Sequence, residues 1–562
     1  MSGIFRPVDG VVYPDPERAA EWLSNGAWID STAGDVAREA AEKWADREAI
    51  VDHDNRISFG EFDEQTDRFG AGLLDLGLEP GDRMIFQMGG AIETIIALFG
   101  CFKAGIIPLC TIPQYREIEI RALGAQSGAK GYIVQADFSS SFDIVGFAKS
   151  MREQLPGIQH LLVARGGDDS DGVVRMEDLI ASTDLAEARQ RLSQIEIGSG
   201  DLLSFQLSGG STGVPKIIPR FHAEYLAHAR DWALQFGKTQ DSIALWTLPI
   251  IHNAAQIWAV FPTFLFGSRL VLHERADVDT MFRIIEAERV THMMSIGPIA
   301  PAIIASPDPE RYDYSSLQVF GLLNQAEELE AKLGVPCANF YGITEGLVIG
   351  THSAAPVERR HGTHGSAPNP AHIMRVLTPD GEEDVGEGEV GELCFRGPST
   401  LTAYFADEKA NDGAFTSDGY FRTGDLVRYS TFDGVRHITF AGRSRDNINR
   451  GGEKIGAEEV ENLIARYPDV VDAKVVPMPD PLLGERACAY LILAAGAKGP
   501  TVKELGEFLS GLGLARFKHP ERIEFIDAFP VTRVGKLDKG ELKKMIAEKL
   551  AADAALDERA NS

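Results

Sequence analysis

The stretch Ser208-Gly209-Gly210-Ser211-Thr212-Gly213-Val214-Pro215-Lys216 brings glycines, hydroxyls and a lysine into one short loop. Where no Cβ intervenes, backbone N–H groups can converge on an anion, the hydroxyls add donors and the lysine adds a mobile positive charge, so the chemistry on offer is phosphate binding. The spacing is not that of a Walker A loop, because Val214 and Pro215 separate the last glycine from Lys216. A flexible Gly/Ser linker would share the same tetrapeptide, and the loop alone does not separate the two. The apolar run Leu202–Leu207 predicts a buried strand before it and residues 222–236 a helix after it, the strand, loop and helix setting in which phosphates bind.

Other stretches offer complementary chemistry. Tyr341-Gly342-Ile343-Thr344-Glu345-Gly346 places an aromatic plane, a hydroxyl and a carboxylate in one turn, suited to a base, a phosphate and a magnesium ion respectively. A strand end followed by a helix cap would read the same way. Tyr420-Phe421-Arg422-Thr423-Gly424-Asp425 offers a carboxylate at a tight turn, able to accept from both hydroxyls of a ribose. Residues 442–454, GRSRDNINRGGEK, are dense in charge and glycine, as a solvated linker would also be. Pro530-Val531-Thr532-Arg533-Val534-Gly535-Lys536 presents a lysine after a glycine, a pair with little meaning in isolation.

The elements that must position these groups follow from pattern and length. At 562 residues the chain is too long for one ordinary core, and a large domain with a smaller one is expected. From about residue 29 to 397 amphipathic helices alternate with short apolar strands, the mark of a layered α/β domain. After Arg375, glycines at 381, 386, 388, 391 and 397 separate short strands, which predicts a β-rich subdomain over about 375–444. The division is expected at 444/445, leaving 445–562 as a small α+β domain whose last ten residues, mostly small or charged, fray.

Composition excludes some functions. With 83 acidic against 55 basic residues and a formal net charge of −28, the chain is a poor match for wrapping nucleic acid or an anionic membrane. Five scattered cysteines, none in a C-x-x-C pair, suit a reducing compartment and argue against structural zinc. No apolar signal core opens the chain and its longest apolar run, interrupted by Pro262, is too short to span a bilayer; the reading is a soluble, cytoplasmic protein. Residues 386–391 satisfy G-x-G-x-x-G, but acidic neighbours and the lack of a following helix oppose a dinucleotide site. His361 and His364 hint at a metal but have no further ligands close in sequence.

In this combination and order, SGGSTGVPK, YGITEG, YFRTGD, GRSRDNINRGGEK and TRVGK resemble the adenylate-forming superfamily of acyl-CoA synthetases, luciferases and peptide-synthetase adenylation domains, over nearly the whole chain. LSGGSTGVPKIIPRFH, LPIIHN and DNINRGGEKIGAEEVENL look most like the stand-alone aryl-acid AMP ligases that activate 2,3-dihydroxybenzoate or salicylate. The resemblance implies an ATP- and Mg2+-dependent enzyme in which an acid attacks the α-phosphate, pyrophosphate leaves, and a thiol then displaces AMP. It implies that Ser208, Gly209, Gly210, Ser211, Thr212, Gly213 and Lys216 cover the outer phosphates, and that Tyr341 meets the base and Thr344 the α-phosphate. Glu345 then holds magnesium, Asp425 and Arg443 take the ribose, and Lys536 offsets charge at the reacting centre. A hinge at Arg445 or Asp446 would swing the lysine out for the second step.

For the acid, the resemblance implies a pocket of His252, Asn253, Ala254, Trp258 and Val348, with Asn253 binding an ortho-hydroxyl. The chain departs from the family at Ala254 and Trp258, where tyrosine and serine are usual, and at Gly321-Leu322-Leu323, which stands for a Gly-Gly-Ala loop. Trp258 is expected to wall the pocket and Ala254 to open it. Salicylate or a related ortho-hydroxy aryl acid is the first expectation, with an apolar or bicyclic acid as the alternative. The thiol is CoA or a phosphopantetheinylated carrier protein. A non-catalytic binding protein of the same fold is opposed by the presence of Lys216, Glu345, Asp425 and Lys536 together.

Overall fold

The computed structural model describes residues 3–560 apart from 167–171, 209–213, 275–276, 297–298, 307–308, 379–380, 444–446, 495 and 531–537. Two large sheets carry the alternating strands and helices of the chain as far as Gly350. In the seven-stranded sheet the order runs Val173–Arg175, His160–Ala164, Gly131–Gln135, Arg83–Gln87, Ile107–Cys110, Leu202–Leu207, Ile217–Phe221. Its strands pair in parallel except the last two, which form an antiparallel hairpin. The eight-stranded sheet likewise is parallel through its centre and ends in the antiparallel pair Cys337–Ile343 and Leu347–Gly350. Each sheet thus terminates in a hairpin, and the two hairpin loops carry Ser208 to Lys216 and Thr344 to Gly346.

Helices between strands bury one face against these sheets. The helix Phe59–Asp75 begins at a capping box in which Ser58 and Glu61 satisfy each other's backbone N–H, and it buries Phe59, Phe62, Phe69 and Leu73 along one side. Phe62 and Phe99 meet Phe264 with ring centroids 4.6 and 4.5 Å away, so one aromatic cluster joins three helices. Each such ring contributes roughly 1.5–3 kcal/mol by burial, and Phe62→Ala is expected to cost about 3–5 kcal/mol.

Downstream, Ile373–Leu377, Gly391–Arg396, Phe421–Phe432 and Val435–Arg443 form a four-stranded antiparallel sheet in the glycine-rich segment. A five-stranded sheet follows, built on the long pair Val470–Asp480 and Gly484–Leu493 and flanked by helices Ala457–Ile464 and Val502–Gly511. The fold is therefore α/β, with a large N-terminal domain and a smaller C-terminal α+β domain.

Two local expectations need correction. The stretch 208–216 is followed by the strand Ile217–Phe221 before the helix His222–Gln235 begins, so it connects two paired antiparallel strands. The charged stretch at 447–456 is no linker: Asn447–Arg450 and Glu453–Gly456 pair around Gly451-Gly452, whose φ values of 58° and 95° are those a two-residue hairpin turn requires. The last ten residues are expected to fray, and the helix Lys539–Ala560 runs into them. Among the described residues no helix is long and apolar enough to cross a membrane.

Candidate active site

A cavity of about 170 Å³ lies between the two loop-bearing hairpins. Ser208, Tyr341, Thr344, Glu345 and Asp425 are among the residues that line it. Ser208 and Lys216 close the base of their loop reciprocally: Ser208 N–H donates to the Lys216 carbonyl at 3.0 Å, and Lys216 N–H donates to Ser208 Oγ at 3.0 Å. Gly209, Gly210, Ser211, Thr212 and Gly213 lie outside the described residues.

Thr344, Glu345 and Gly346 sit at the tip of a β-hairpin, which settles the alternative of a helix cap. The turn is clamped from behind. Gly346 has φ +118°, and a Cβ there would stand 1.6 Å from the Ser399 carbonyl oxygen, so no other residue fits. The fully buried Arg220 donates to the carbonyls of Thr344 and Ser399 at 3.4 and 3.2 Å and pairs with Glu224 at 2.6 Å. Arg220 was not singled out from the sequence; it lies within the PKIIPRFH run, and a charged residue in an apolar strand was the available signal.

Asp425 is not at a tight turn. It lies inside the strand Phe421–Phe432, in the stretch Thr423–Asp425 that bulges against Gly391–Arg396, where Arg422 pairs with Cys394 and Leu426 with Glu392, and a bulge re-aims the side chains it carries. The buried carboxylate accepts from the Tyr341 phenol at 2.8 Å. Arg443 is the backbone partner opposite Asp425.

The same cavity is lined by His252, Asn253, Ala254 and Val348, with Trp232, Ile296 and Phe340. LPIIHN is a loop that ends as the helical turn Asn253–Ala255 begins. His252 Nδ1 accepts the Ala254 N–H at 3.2 Å, and burial together with the charge of Lys454 lowers its pKa to about 4, so the ring is neutral near pH 7. Asn253 Oδ1 accepts from the buried phenol of Tyr225 at 2.6 Å, an anchor that the sequence reading missed and that a tyrosine on the face of an apolar helix does not advertise.

Trp258 is not among the described residues that line the cavity, contrary to expectation. Residues Gln256–Val260 form a π-helical turn, and Phe261 N–H bonds the carbonyl of Gln256, five residues back. The wider turn breaks the i, i+4 alignment that would have put residue 258 on the same face as Ala254. Trp258 instead packs against Trp246, centroids 5.8 Å apart, with the Lys238 ammonium 3.6 Å from its ring centre.

The small domain also reaches the cavity, through Asn449, Gly452, Glu453 and Lys454 of the 447–456 hairpin. Lys536, Arg445 and Asp446 lie outside the described residues. His361 pairs with Glu330 at 2.9 Å, and His364 Nδ1 accepts the Phe440 N–H at 3.2 Å. All five cysteines are buried.

The AMP-binding enzyme family matches residues 37–405, and the AMP-binding enzyme C-terminal domain matches residues 459–536. The 2,3-dihydroxybenzoate-AMP ligase of Bacillus subtilis (strain 168) is 36% identical, over 96% of this chain and 98% of its own. The 2-hydroxy-7-methoxy-5-methyl-1-naphthoate–CoA ligase of Streptomyces carzinostaticus is 32% identical, over 96% and 97%. The apo structure of MbtA from Mycobacterium smegmatis superposes with a TM-score of 0.70 at 28% identity, covering 95% of this chain and 98% of that one. The chain belongs to the AMP-binding enzyme family.

Proposed function

We propose that the protein uses ATP and Mg2+ to convert an aromatic carboxylic acid to its acyl-adenylate, and then passes the acyl group to a thiol. The observation that carries this reading is that His252 and Asn253 open onto the same cavity as Thr344, Glu345 and Asp425, so that an acid and a nucleotide would meet in one enclosed space.

The donors suit magnesium ATP. Glu345 offers an oxygen ligand of the kind magnesium takes, Ser208 and Thr344 offer hydroxyls, and Asp425 offers a buried acceptor for sugar hydroxyls. A bound magnesium ion would neutralise phosphate charge as pyrophosphate leaves. Arg220 holds the turn that carries Thr344 and Glu345, and Tyr225 holds Asn253, so both ends of the cavity are set before either ligand arrives.

An ortho-hydroxy aryl acid such as salicylate is the first reading, because the Asn253 amide is anchored at the cavity. A bicyclic aryl acid is the second, favoured by the small side chain of Ala254 at the wall. Both CoA and a phosphopantetheine carrier remain as acceptors. The division is placed at 444/445, with the hinge at Arg445 or Asp446 and Lys536 acting in the adenylation step.

ATP–pyrophosphate exchange across a panel of aryl acids tests the reading. Exchange with salicylate or a naphthoate supports it, and no exchange with any aryl acid overturns it. Lys536→Ala is expected to abolish exchange while thioester formation from supplied acyl-adenylate persists; equal loss of both steps removes the role given to Lys536.

A further inference from the structure

Glu345 belongs to the hairpin that ends the eight-stranded sheet and Lys216 to the loop that ends the seven-stranded one, yet a single side chain touches both. Tyr404, 5% exposed, donates its phenol O–H to Glu345 Oε1 at 2.9 Å. The Lys216 ammonium stands 4.5 Å from the centre of the same ring. The backbone around Tyr404 is tied to the same two loops. Leu401 N–H donates to the Glu345 carbonyl at 2.8 Å, and Phe405 N–H donates to the carbonyl of Ile217, next to Lys216, at 2.9 Å.

Tyr404 is itself held on both sides. Its N–H donates to Asn411 Oδ1 at 2.8 Å, and Asn411 Nδ2 returns a bond to its carbonyl at 3.0 Å. Phe405 packs on Phe205 of the strand leading into the phosphate loop, ring centroids 4.6 Å apart. Residues 401–405 therefore form a strap across the two loops, with Tyr404 at its centre.

We propose that Tyr404 is a positioning residue for magnesium ATP, setting the carboxylate of Glu345 for the cation and the ammonium of Lys216 for the phosphates. A phenol O–H bonded to one carboxylate oxygen fixes the plane in which the other meets a cation, and the negative face of the ring attracts the ammonium. One rigid aromatic side chain thus sets the distance between a cation ligand and a phosphate ligand, a distance that neither sheet alone determines. The proposal rests on the roles given above to Glu345 and Lys216.

The test compares Tyr404→Phe, Tyr404→Leu, Glu345→Gln and Lys216→Ala in the full-length protein by calorimetric titration with ATP, once with Mg2+ and once with EDTA, beside acid binding and thermal melting. Tyr404→Phe keeps the ring and loses the O–H, and is expected to weaken ATP binding about tenfold with Mg2+ while leaving the EDTA value unchanged. Tyr404→Leu also loses the ring, and is expected to weaken the EDTA value by about threefold or more. Acid affinity stays at the wild-type value in both.

Wild-type binding of magnesium ATP by Tyr404→Phe overturns the proposal. A parallel fall in ATP affinity, acid affinity and melting temperature overturns it as well, since that is the signature of packing alone. If Glu345→Gln and Lys216→Ala also bind magnesium ATP normally, the roles of those two residues fall too; if only the Tyr404 variants do, the site stands and the joint does not.

Discussion

The phenol of Tyr341 donates to the carboxylate of Asp425 at 2.8 Å, joining the strand Cys337–Ile343, next to the edge of the eight-stranded sheet, to the strand Phe421–Phe432 of the antiparallel sheet. The ring proposed to meet the base and the carboxylate proposed to take the ribose are thereby fixed to each other. A hydrogen bond to a charged group contributes about 1.5–3 kcal/mol. Tyr341→Phe is therefore expected to raise the ATP KM by roughly tenfold or more with little change in the acid KM. It should also reduce discrimination against 2′-deoxy-ATP. Steady-state kinetics with both nucleotides checks this, and an unchanged preference would detach Asp425 from the sugar.

The π-helical turn at Gln256–Val260 moves Trp258 out of the cavity and leaves Ala254 in its wall. Trp258→Phe is expected to lower stability by about 1–3 kcal/mol and to leave the ranking of acids in pyrophosphate exchange as it is. Ala254→Ile should exclude the larger acids. A reordered ranking in the Trp258 variant would return that side chain to the pocket wall.

Three histidines, His222 and His364 buried and His252 half-buried at the cavity, predict how stability depends on pH. His222, His252 and His364 each accept a backbone N–H at Nδ1, from Ala33 at 3.0 Å and from Ala254 and Phe440 at 3.2 Å. Burial lowers their pKa values from 6.5 to about 3, about 4 and about 4. The unfolded chain binds more protons below 6.5, so the stabilisation is complete above that pH and is lost as pH falls through 4. A shift of the size at His364 is worth up to about 3 kcal/mol. The urea midpoint should fall steadily between pH 6.5 and 4, and less steeply in His364→Gln; identical slopes would count against it.

The small domain is held against the large one by a buried cluster of charge. Lys518 Nζ stands 2.8 Å from Glu119 Oε1 of the helix Glu117–Ser127 and 2.7 Å from Glu459 Oε2 of the helix Ala457–Ile464. Removing one partner from such a cluster costs about 3–5 kcal/mol, because the remaining charges stay buried and unpaired. Lys518→Met is thus expected to loosen docking of the small domain and speed proteolysis between the domains. Melting of the large domain should change little. Wild-type proteolysis rates in the variant would show that other contacts set the docking.

Much of this protein is written in local sequence. The alternation of apolar strands and amphipathic helices, the glycine and hydroxyl content of residues 208–216, and the order of the motifs that follow are properties of neighbouring residues, and period and spacing are enough to reveal them. The hairpin at 447–456 was less legible, because paired polar strands around two glycines look like a charged linker until a sheet is there to receive them.

What only the tertiary structure decided depends on contacts between distant segments. The carboxylate of Asp425 was visible, but a bulge set by pairing with the strand Gly391–Arg396 aims it. Trp258 lies four residues after Ala254, yet one wide helical turn separates their faces. Arg220, Tyr225 and Tyr404 reach partners 124, 28 and 59 residues away. No local pattern encodes such a meeting, since it exists only once two sheets and their end hairpins have packed together. The sequence by itself determined which chemical groups are present and in what order; the packing decided which of them share a cavity and which side chains hold them there.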